Sequence, residues 1–275
     1  MKFIIGALAG LLLYLIGVNK RPRTSFYRIK DQDLPQAFDG LKILQISDFH
    51  NELYGPNQAH IKKEIDRLDF DMIFITGDFV DRRKLDIKQA LDFIDMIAIR
   101  GPIFYVNGNH ERGIGKNYQV LKKGLEKRGV IVLENQVYSW EKNGARLDIA
   151  GLIDPREYVG KKKDKSLDED GKVDGFIKGL DLKNYCLMLA HRPEKFEVYV
   201  ANNIDLIFTG HAHGGQARFL GLAGYAPDQG VFPSYSKGIY RKKKSQMVVS
   251  RGLGNSRFPL RVFNRPELLV IEINR

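Results

Sequence analysis

The sequence of 275 residues predicts an α/β protein. From residue 41 onward, short apolar runs of β type alternate with stretches of helical periodicity, which is the pattern of an α/β domain. Hydrophobic residues make up 43% of the chain, enough for a sizeable core, so a disordered or low-complexity protein is excluded. The length fits one large domain or two small ones.

Nine apolar runs are predicted as strands: Leu41–Ser47, Met72–Thr76, Ile103–Asn107, Ile131–Leu133, Leu147–Gly151, Tyr185–Ala190, Ile204–Thr209, Met247–Ser250 and Leu268–Ile273. Two stretches between strands keep a helical stripe: Ile61, Ile65 and Leu68, then Ile87, Leu91, Ile94 and Ala98. Pro56 and Pro193 are placed to open helices.

The N-terminus carries an uncharged apolar run over residues 3–18, FIIGALAGLLLYLIGV. As a helix it would be about 24 Å long, slightly less than a hydrocarbon core of ~30 Å. No small-x-small cleavage site follows, which favours an uncleaved anchor over a cleaved signal peptide. We therefore predict a membrane anchor at 1–19, a basic juxtamembrane linker at 20–40 and a globular domain at 41–275.

Positive charge is concentrated near this run. The net charge is +11, and residues 1–30 contain six Lys or Arg and no Asp or Glu, so the remaining chain has a net charge of only +5. That excess is weak support for nucleic-acid binding and is compatible with an anionic substrate. The basic flank after the run predicts a single-pass protein of the cell membrane with a cytoplasmic domain, and a flank that contacts anionic headgroups.

Two segments lack clear periodicity. The charged run KKKDKSLDEDGKVD at 161–174 predicts an exposed excursion, and residues 214–240, rich in Gly, Pro, Tyr and Phe, predict a long ordered loop or a pair of irregular strands. Inside the second, the apolar residues 219–226 are expected to pack into the core, with an acyl pocket or contact with a bilayer as alternatives. Cys186, the one cysteine, is predicted to be a small buried hydrophobe.

The candidate chemistry lies directly after predicted strands, where ligand sites of α/β sheets form. Five of the six histidines are there, in the segments Asp48-Phe49-His50, Gly108-Asn109-His110-Glu111, Ala190-His191-Arg192 and Gly210-His211-Ala212-His213; Gly77-Asp78-Phe79-Val80-Asp81 adds carboxylates. A lone strand-end histidine usually makes only structural hydrogen bonds. Five in succession with similar neighbours favour a site for borderline or hard divalent metals. His60 is expected to be an ordinary surface residue.

The number of donors indicates two ions. Seven nitrogen and oxygen ligands exceed the needs of one tetrahedral ion with an open position, but they fit two ions that share a carboxylate and hold a hydroxide between them. Such a centre suits attack on phosphorus. The identity of the ions stays open, because Mn, Fe, Zn, Co and Mg each suit part of this ligand set.

The ordered set DxH, GDxxD, GNHE, a strand-end His and GHxH resembles the calcineurin-like metallophosphoesterase superfamily. This resemblance implies a metallo-dependent phosphatase fold, in which helices enclose two mixed β-sheets and the site lies at the strand ends. It also implies a metal assignment: the first ion on Asp48, His50 and His213, the second on Asn109, His191 and His211, and Asp78 bridging both.

The resemblance assigns two further roles. His110 would protonate the leaving oxygen or stabilise the transition state, and Asp81 would orient His110. The N-terminal run and the segments at 210–221 and 250–267 are similar to a bacterial membrane-anchored branch, which contains phosphodiesterases and enzymes like the UDP-diacylglucosamine pyrophosphatase of lipid A synthesis.

The expected activity is hydrolysis of a phosphodiester or pyrophosphate of a membrane lipid or nucleotide-linked lipid, by in-line attack of the bridging hydroxide. Two alternatives stay open: a catalytically silent interaction module on the same fold, and a phosphoesterase acting on nucleic acid or phosphoprotein. Four arginines are candidates for holding the substrate phosphate: Arg112, Arg192, Arg218 and Arg251. Substrate identity and oligomeric state stay open.

Overall fold

A computed structural model describes residues 2–156, 158–159, 162–163, 168–255 and 258–275. The helices are α1 (Lys2–Asn19), α2 (Ala59–Ile65), α3 (Ile87–Ile97), α4 (Asn109–Arg112), α5 (Asn117–Glu126), α6 (Glu169–Lys178) and α7 (Phe196–Ala201). The strands are β1 (Arg23–Lys30), β2 (Leu41–Ile46), β3 (Met72–Thr76), β4 (Ile103–Val106), β5 (Ile131–Val132), β6 (Gln136–Lys142), β7 (Ala145–Gly151), β8 (Tyr158–Val159), β9 (Lys162–Lys163), β10 (Cys186–Leu189), β11 (Leu206–Thr209), β12 (Arg218–Phe219), β13 (Leu222–Ala223), β14 (Tyr225–Ala226), β15 (Gly230–Val231), β16 (Gly238–Lys242), β17 (Ser245–Val249) and β18 (Glu267–Asn274).

Two six-stranded mixed sheets form the centre of the molecule. The first has the order β1-β18-β2-β3-β4-β5, with β2 to β5 parallel, and the second has the order β16-β17-β11-β10-β7-β6, with its four central strands parallel. The central strands are buried on both faces, which explains why they are continuous apolar runs in the sequence.

The sheets pack face to face and helices cover their outer faces. One apolar cluster contains side chains of both sheets, including Phe74 and Phe208, whose ring centroids are 4.9 Å apart. Helices α2, α3 and α5 contribute to a second cluster on the first sheet, and α6 and α7 to a third on the second sheet. The prediction of an α/β fold with two mixed sheets between helices is confirmed, and Cys186 is buried as expected.

The carboxyl ends of the parallel strands of both sheets meet at one end of the molecule. The buried side chain of Gln45, in β2, joins them: its Nε2 donates to Thr76 Oγ1 at 3.0 Å in the same sheet and to Thr209 O at 2.9 Å in the other. This link fixes the relative position of the two sheets where the strand-end segments come together.

The edge strands β6 and β16 were not predicted from the sequence. Strand β6 pairs with β7 through a turn at Asn143 and Gly144, whose φ angles are 52° and 77°. Positive φ at both positions is the geometry of a type I′ turn, and Asn-Gly is the dipeptide that favours it. The dipeptide was therefore a readable hairpin signal.

The structure corrects the description of the N-terminus. Residues 2–19 form α1, and its last residue is attached to the domain, since Asn19 Nδ2 donates to Arg261 O and Arg261 N donates to Asn19 Oδ1, both at 2.9 Å. Across the described residues, no helix has both the length and the apolar character that crossing a bilayer would require. The predicted transmembrane anchor is therefore not supported.

The predicted linker at 20–40 is wrong for most of its length. Residues 23–30 form β1, which pairs in parallel with β18 along all eight residues, and Leu34 and Phe38 are buried in the core between the sheets. In the sequence the segment resembles a linker because it is basic, and in the structure about half of the β1 side chains are exposed. Only its pairing with the C-terminal strand, which is remote in sequence, makes it part of the domain.

The two irregular segments also differ from expectation. The described end of 161–174 belongs to α6, which buries Val173, whereas 161 and 164–167 lie outside the described residues. Residues 214–240 contain the short pairs β12–β13 and β14–β15, matching the alternative of irregular strands. The core prediction for 219–226 is wrong for its large side chains: Phe219, Leu220 and Leu222 are exposed, because a tight turn directs them away from the domain.

Candidate metal centre

The strand-end side chains converge where the two sheets meet. They are Asp48 and His50 after β2, Asp78 and Asp81 after β3, Asn109 and His110 at the start of α4 after β4, His191 after β10, and His211 and His213 after β11. All but His110 are buried, and His110 is partly accessible. Helical His60 is exposed, as the sequence predicts.

One group of donors comprises Asp48, His50 and His213. The Nε2 atoms of the two histidines are 3.4 Å apart, and Asp48 Oδ1 lies 3.4 Å from His213 Nε2 and 4.0 Å from His50 Nε2. These are the three residues that the resemblance assigns to the first ion.

A second group comprises Asp78, His191 and His211. Asp78 Oδ2 is 3.3 Å from His191 Nε2 and 3.7 Å from His50 Nε2, so this carboxylate lies between the two groups. That is the location a bridging ligand requires. Asn109 is buried, and the next backbone N–H, of His110, donates to Asp78 Oδ1 at 2.7 Å.

These residues fit divalent metal ions. Ligand atoms bound at about 2.1 Å to one ion lie roughly 3.0–3.4 Å from each other, which is the spacing found here between imidazole nitrogens and carboxylate oxygens. His191 Nε2 and His211 Nδ1 are buried and have no hydrogen-bond partner among the described residues. His191 Nδ1 lies 2.8 Å from Thr76 O, which leaves Nε2 as its ligating nitrogen.

The protonation of the first group also suits metal binding. Burial lowers the pKa of His50 to about 3, with a further contribution from His110, and burial together with His50 holds the pKa of His213 well below its usual value. Burial would raise the pKa of Asp78, but His191 and His110 outweigh it and hold that pKa well below the ordinary range. His50 and His213 are therefore neutral and Asp78 is ionised. His191 differs, because Asp78 outweighs the effect of burial and raises the pKa of His191 to about 10, so this imidazole must release a proton to bind a metal.

The backbone at the centre is strained. Asp48, His50, Asp78, His211 and His213 all have φ between 47° and 62°, a left-handed region that residues with a Cβ seldom occupy. Such strain is concentrated at functional sites, where surrounding contacts hold it. Close packing at the centre also requires two of the motif glycines. A Cβ on Gly108 would lie 2.3 Å from Asp78 Oδ1, and a Cβ on Gly210 would lie 1.8 Å from Ser47 Oγ, so no larger residue fits at either position.

Glu111 is a site residue to which the sequence assigned no role. It is fully buried, and its carboxylate accepts hydrogen bonds from the N–H groups of Asp78 (2.9 Å), Val80 (3.0 Å) and Gly108 (2.7 Å). Glu111 therefore joins the loop after β3 to the loop after β4. Burial and the adjacent Asp78 raise the pKa of Glu111 to about 7.

Asp228 is a second residue that sequence reasoning missed. Its Oδ2 lies 3.0 Å from His211 Nε2, which leaves Nδ1 of that imidazole to face the centre. Asp228 is paired in turn with Arg192, at 3.0 Å, and with Arg156. The only signal was the sequence Pro-Asp-Gln-Gly at 227–230, which predicts a turn and not a ligand-positioning carboxylate.

His110 and Asp81 lie beside the metal-ligand groups. His110 Nδ1 is 3.3 Å from Asp81 Oδ1, and His110 Nε2 is 4.0 Å from Asp78 Oδ2. Burial opposes protonation of His110, but Asp78 and Asp81 outweigh it and raise its pKa. A protonated imidazole beside the centre can donate a proton to a leaving oxygen.

The four arginines proposed for substrate phosphate are engaged elsewhere. Arg192 is buried against Asp154 (2.7 Å), and Arg251 pairs with Glu267 (2.7 Å). Arg218 Nη1 donates to Gly214 O at 2.9 Å, and Arg112 Nε donates to Arg156 O at 3.2 Å. These guanidinium groups stabilise loops around the centre.

Comparison with known proteins agrees with this geometry. The calcineurin-like phosphoesterase family matches residues 41–215, which is more than half of the chain. Uncharacterised metallophosphoesterases of Aquifex aeolicus and of Bacillus subtilis (YkuE) are 28% and 27% identical to it; the alignments cover 98% and 91% of this chain and 96% and 85% of theirs. One solved structure, 12% identical, aligns with a TM-score of 0.51 over 76% of this chain and 90% of its own, which shows a shared fold.

The matched region contains every strand-end donor described above, from Asp48 to His213. The chain belongs to the calcineurin-like phosphoesterase family and is a metal-dependent phosphoesterase.

Proposed function

We propose that this phosphoesterase hydrolyses a phosphodiester or pyrophosphate carried by a membrane lipid or a nucleotide-linked lipid. The observation that supports this substrate class is a cleft of about 730 Å³ that leads from the metal centre along the end of α1. His50 and Asp81 line one part of it, and apolar side chains line another.

The cleft combines the two properties that such a substrate needs. Its apolar lining includes Ile16 of α1, Leu53 and Leu260, which suit an acyl chain. Its charged lining contains three cations, Lys20, Arg83 and Lys84, and three carboxylates, Glu52, Asp81 and Asp86. Arg83 pairs with Asp81. Lys20 pairs with Glu52, but Lys84 has no ion pair among the described residues, so its ammonium group is available to a substrate phosphate.

The residues of the centre have distinct tasks in this reaction. Two divalent ions, when bound, supply a hydroxide at neutral pH and neutralise charge on the phosphate oxygens. Asp48, Asp78, Asn109 and the ligand histidines hold those ions. His110 donates a proton to the leaving oxygen, and Asp81 orients the imidazole ring and favours its protonated form.

A membrane location belongs to the same proposal. The support for it is the apolar helix α1 at the edge of the cleft and the basic residues that follow this helix. We place the catalytic domain on the cytoplasmic side in this proposal, because the basic residues after α1 suit the anionic cytoplasmic leaflet. A pyrophosphatase of UDP-diacylglucosamine type, which the segments at 210–221 and 250–267 resemble, is one specific form of the proposal.

The first experiment uses the full chain in detergent micelles, with metal removed by a chelator and Mn²⁺ restored. We expect metal-dependent hydrolysis of bis-(p-nitrophenyl) phosphate to exceed that of the monoester. CDP-diacylglycerol should then be hydrolysed with a kcat/KM at least about tenfold above that of UDP-glucose, because the second pyrophosphate has no acyl chains. Equal values would contradict the lipid assignment, and no turnover with two bound ions would favour the silent module.

Two matched pairs of variants test the walls of the cleft. Lys84→Ala should raise KM for the diester roughly tenfold, whereas Lys88→Ala, an exposed lysine paired with Asp92 on α3, should not. Leu53→Ser should lower the ratio of lipid to soluble turnover, whereas Val120→Ser, exposed on α5, should leave that ratio unchanged. Identical behaviour within either pair would show that the cleft does not hold the substrate.

A further inference from the structure

A second cavity lies beside α1 and is separate from the metal cleft. It has a volume of about 220 Å³ and is lined by Arg23, Arg251, Arg261 and Arg265, together with Phe263 and apolar side chains of α1. Among the described residues that line it, none is acidic. The Arg261 guanidinium is buried and donates to the backbone oxygens of Arg251 and Gly254, so Arg23 and Arg265 carry most of the accessible charge of the cavity. The phosphoesterase reaction derived above does not use these two cations.

The positive charge of this cavity is only partly compensated. Glu267, which is buried, pairs with Arg251 at 2.7 Å. Arg265 instead donates to a backbone oxygen, Arg21 O, at 2.8 Å, and Arg23 has no ion pair among the described residues.

An exposed apolar surface adjoins the cavity. The hairpin of β12 and β13 presents Phe219 and Leu220, which are 71% and 92% exposed. The hairpin is attached to the C-terminal tail, since Arg218 N donates to Val262 O at 2.9 Å, and the next residue, Phe263, is 60% exposed and lines the cavity. The hairpin, Phe263 and the exposed side of α1 therefore form one apolar surface around the arginines.

We propose that this face binds the surface of an anionic phospholipid bilayer. The arginine cavity receives a lipid phosphate, and the hairpin tip and Phe263 enter the boundary between headgroups and acyl chains. A bilayer presents anionic phosphates directly beside apolar chains, which matches the combination found here. A soluble anion would match the arginines but leave the large exposed apolar side chains without a partner.

Hydrogen bonds and shared segments connect the proposed surface to the metal cleft. Asn19 attaches α1 to Arg261, and the Arg261 guanidinium is 3.3 Å from His213 Nδ1. Helix α1 and the tail line both cavities, so a bilayer bound to this face would lie next to the mouth of the cleft. Bilayer binding does not depend on the proposed substrate, because it can be measured without turnover.

The first test measures binding of the full chain to vesicles of phosphatidylcholine, with and without phosphatidylglycerol. We expect the wild-type chain to bind the anionic vesicles clearly more tightly than the neutral ones. Arg23→Ala/Arg265→Ala should lose most of this preference, because each cation removed should lower the affinity for anionic vesicles roughly fivefold. The control Arg28→Ala/Arg146→Ala removes two exposed arginines of β1 and β7. Each variant is judged by the ratio of its binding to anionic vesicles over its binding to neutral vesicles. Helix α1 is the same in all variants, so its contribution to this ratio cancels. An unchanged ratio in Arg23→Ala/Arg265→Ala would overturn the proposal.

The second test locates the hairpin directly. Leu220→Trp is compared with Ile99→Trp, both in a Trp140→Phe background. Ile99 is also highly exposed, but it precedes β4 and so lies at the amino ends of the parallel strands, away from the metal centre. Brominated lipids should quench the first tryptophan by about half or more and leave the second unaffected, since quenching requires contact with acyl chains. If Trp140→Phe impairs folding, Trp140 is retained as a constant background. Equal quenching at both positions would contradict insertion, and self-association that depends on Phe219 without quenching would show a protein interface instead.

Discussion

At the residue scale, His110 is the side chain whose role can be separated from metal binding. His110→Ala should lower turnover of an ester with a poor leaving group by roughly 10²–10⁴-fold, because such an oxygen needs a proton to depart. The metal content should stay at the wild-type value, as measured by elemental analysis. His60→Ala, on the exposed side of α2, is the matched control. Near-normal turnover of the His110 variant would remove His110 from the role of acid.

Asp228 is a positioning residue at the same scale. Asp228→Asn removes the anionic partner of His211 Nε2, which lies 3.0 Å away, and should weaken metal binding at the second position by about 10–100-fold. Calorimetric titration of the chelated protein with Mn²⁺ measures this affinity. Asp174→Asn removes an exposed carboxylate that pairs with Lys178, and it should bind metal normally. A purely structural Asp228 would lower the unfolding temperature of the Asn variant and leave metal affinity unchanged.

At the scale of elements, Asp148 joins three parts of the second sheet. Its carboxylate in β7 accepts hydrogen bonds from Ser139 of β6 (2.8 Å) and from the backbone N–H groups of Lys183 and Asn184 (both 2.9 Å), which precede β10. Burial would raise the pKa of Asp148, but these donors outweigh it and lower that pKa.

The lowered pKa has a defined consequence for stability. The contribution of Asp148 is fully present above its unfolded pKa of about 4 and is lost as the pH falls below that value. Asp148→Asn should therefore lower the free energy of unfolding by about 1–3 kcal/mol at pH 7, and the difference from wild type should shrink toward pH ~3. Urea unfolding across this pH range measures it, with Asp181→Asn as an exposed control. A difference that is independent of pH would contradict this account.

At the scale of the whole molecule, metal binding and folding are coupled. The centre collects donors from both sheets, so an ion that binds only the folded state should stabilise the entire domain. At a free metal concentration about 100-fold above Kd, the gain is about 2.7 kcal/mol, which corresponds to a rise in Tm of roughly 5–10 °C. Scanning calorimetry with chelator and with Mn²⁺ measures the shift. In Asp78→Ala the shift should be much smaller, and an equal shift there would remove Asp78 from the bridging position.

Local sequence determined much of the architecture. The apolar runs of β2, β3, β10 and β11 are readable because strands buried on both faces need continuous apolar side chains. The order of the strand-end motifs is readable as well, because parallel strands bring their carboxyl ends to one edge. For these reasons the fold class and the grouping of Asp48, Asp78 and the histidines could be predicted before any coordinates.

The tertiary structure decided what depends on contacts between distant segments. β1 became a strand only through pairing with β18, and Asp228 reached His211 only through the path of an irregular loop. The same reason explains the arginines: Arg192 is a structural ion pair and Arg23 lines a cavity, although both are ordinary cations in the sequence. Periodicity and motif spacing report what a segment does by itself, whereas the burial of a charge or the exposure of Leu220 depends on which remote segments pack beside it.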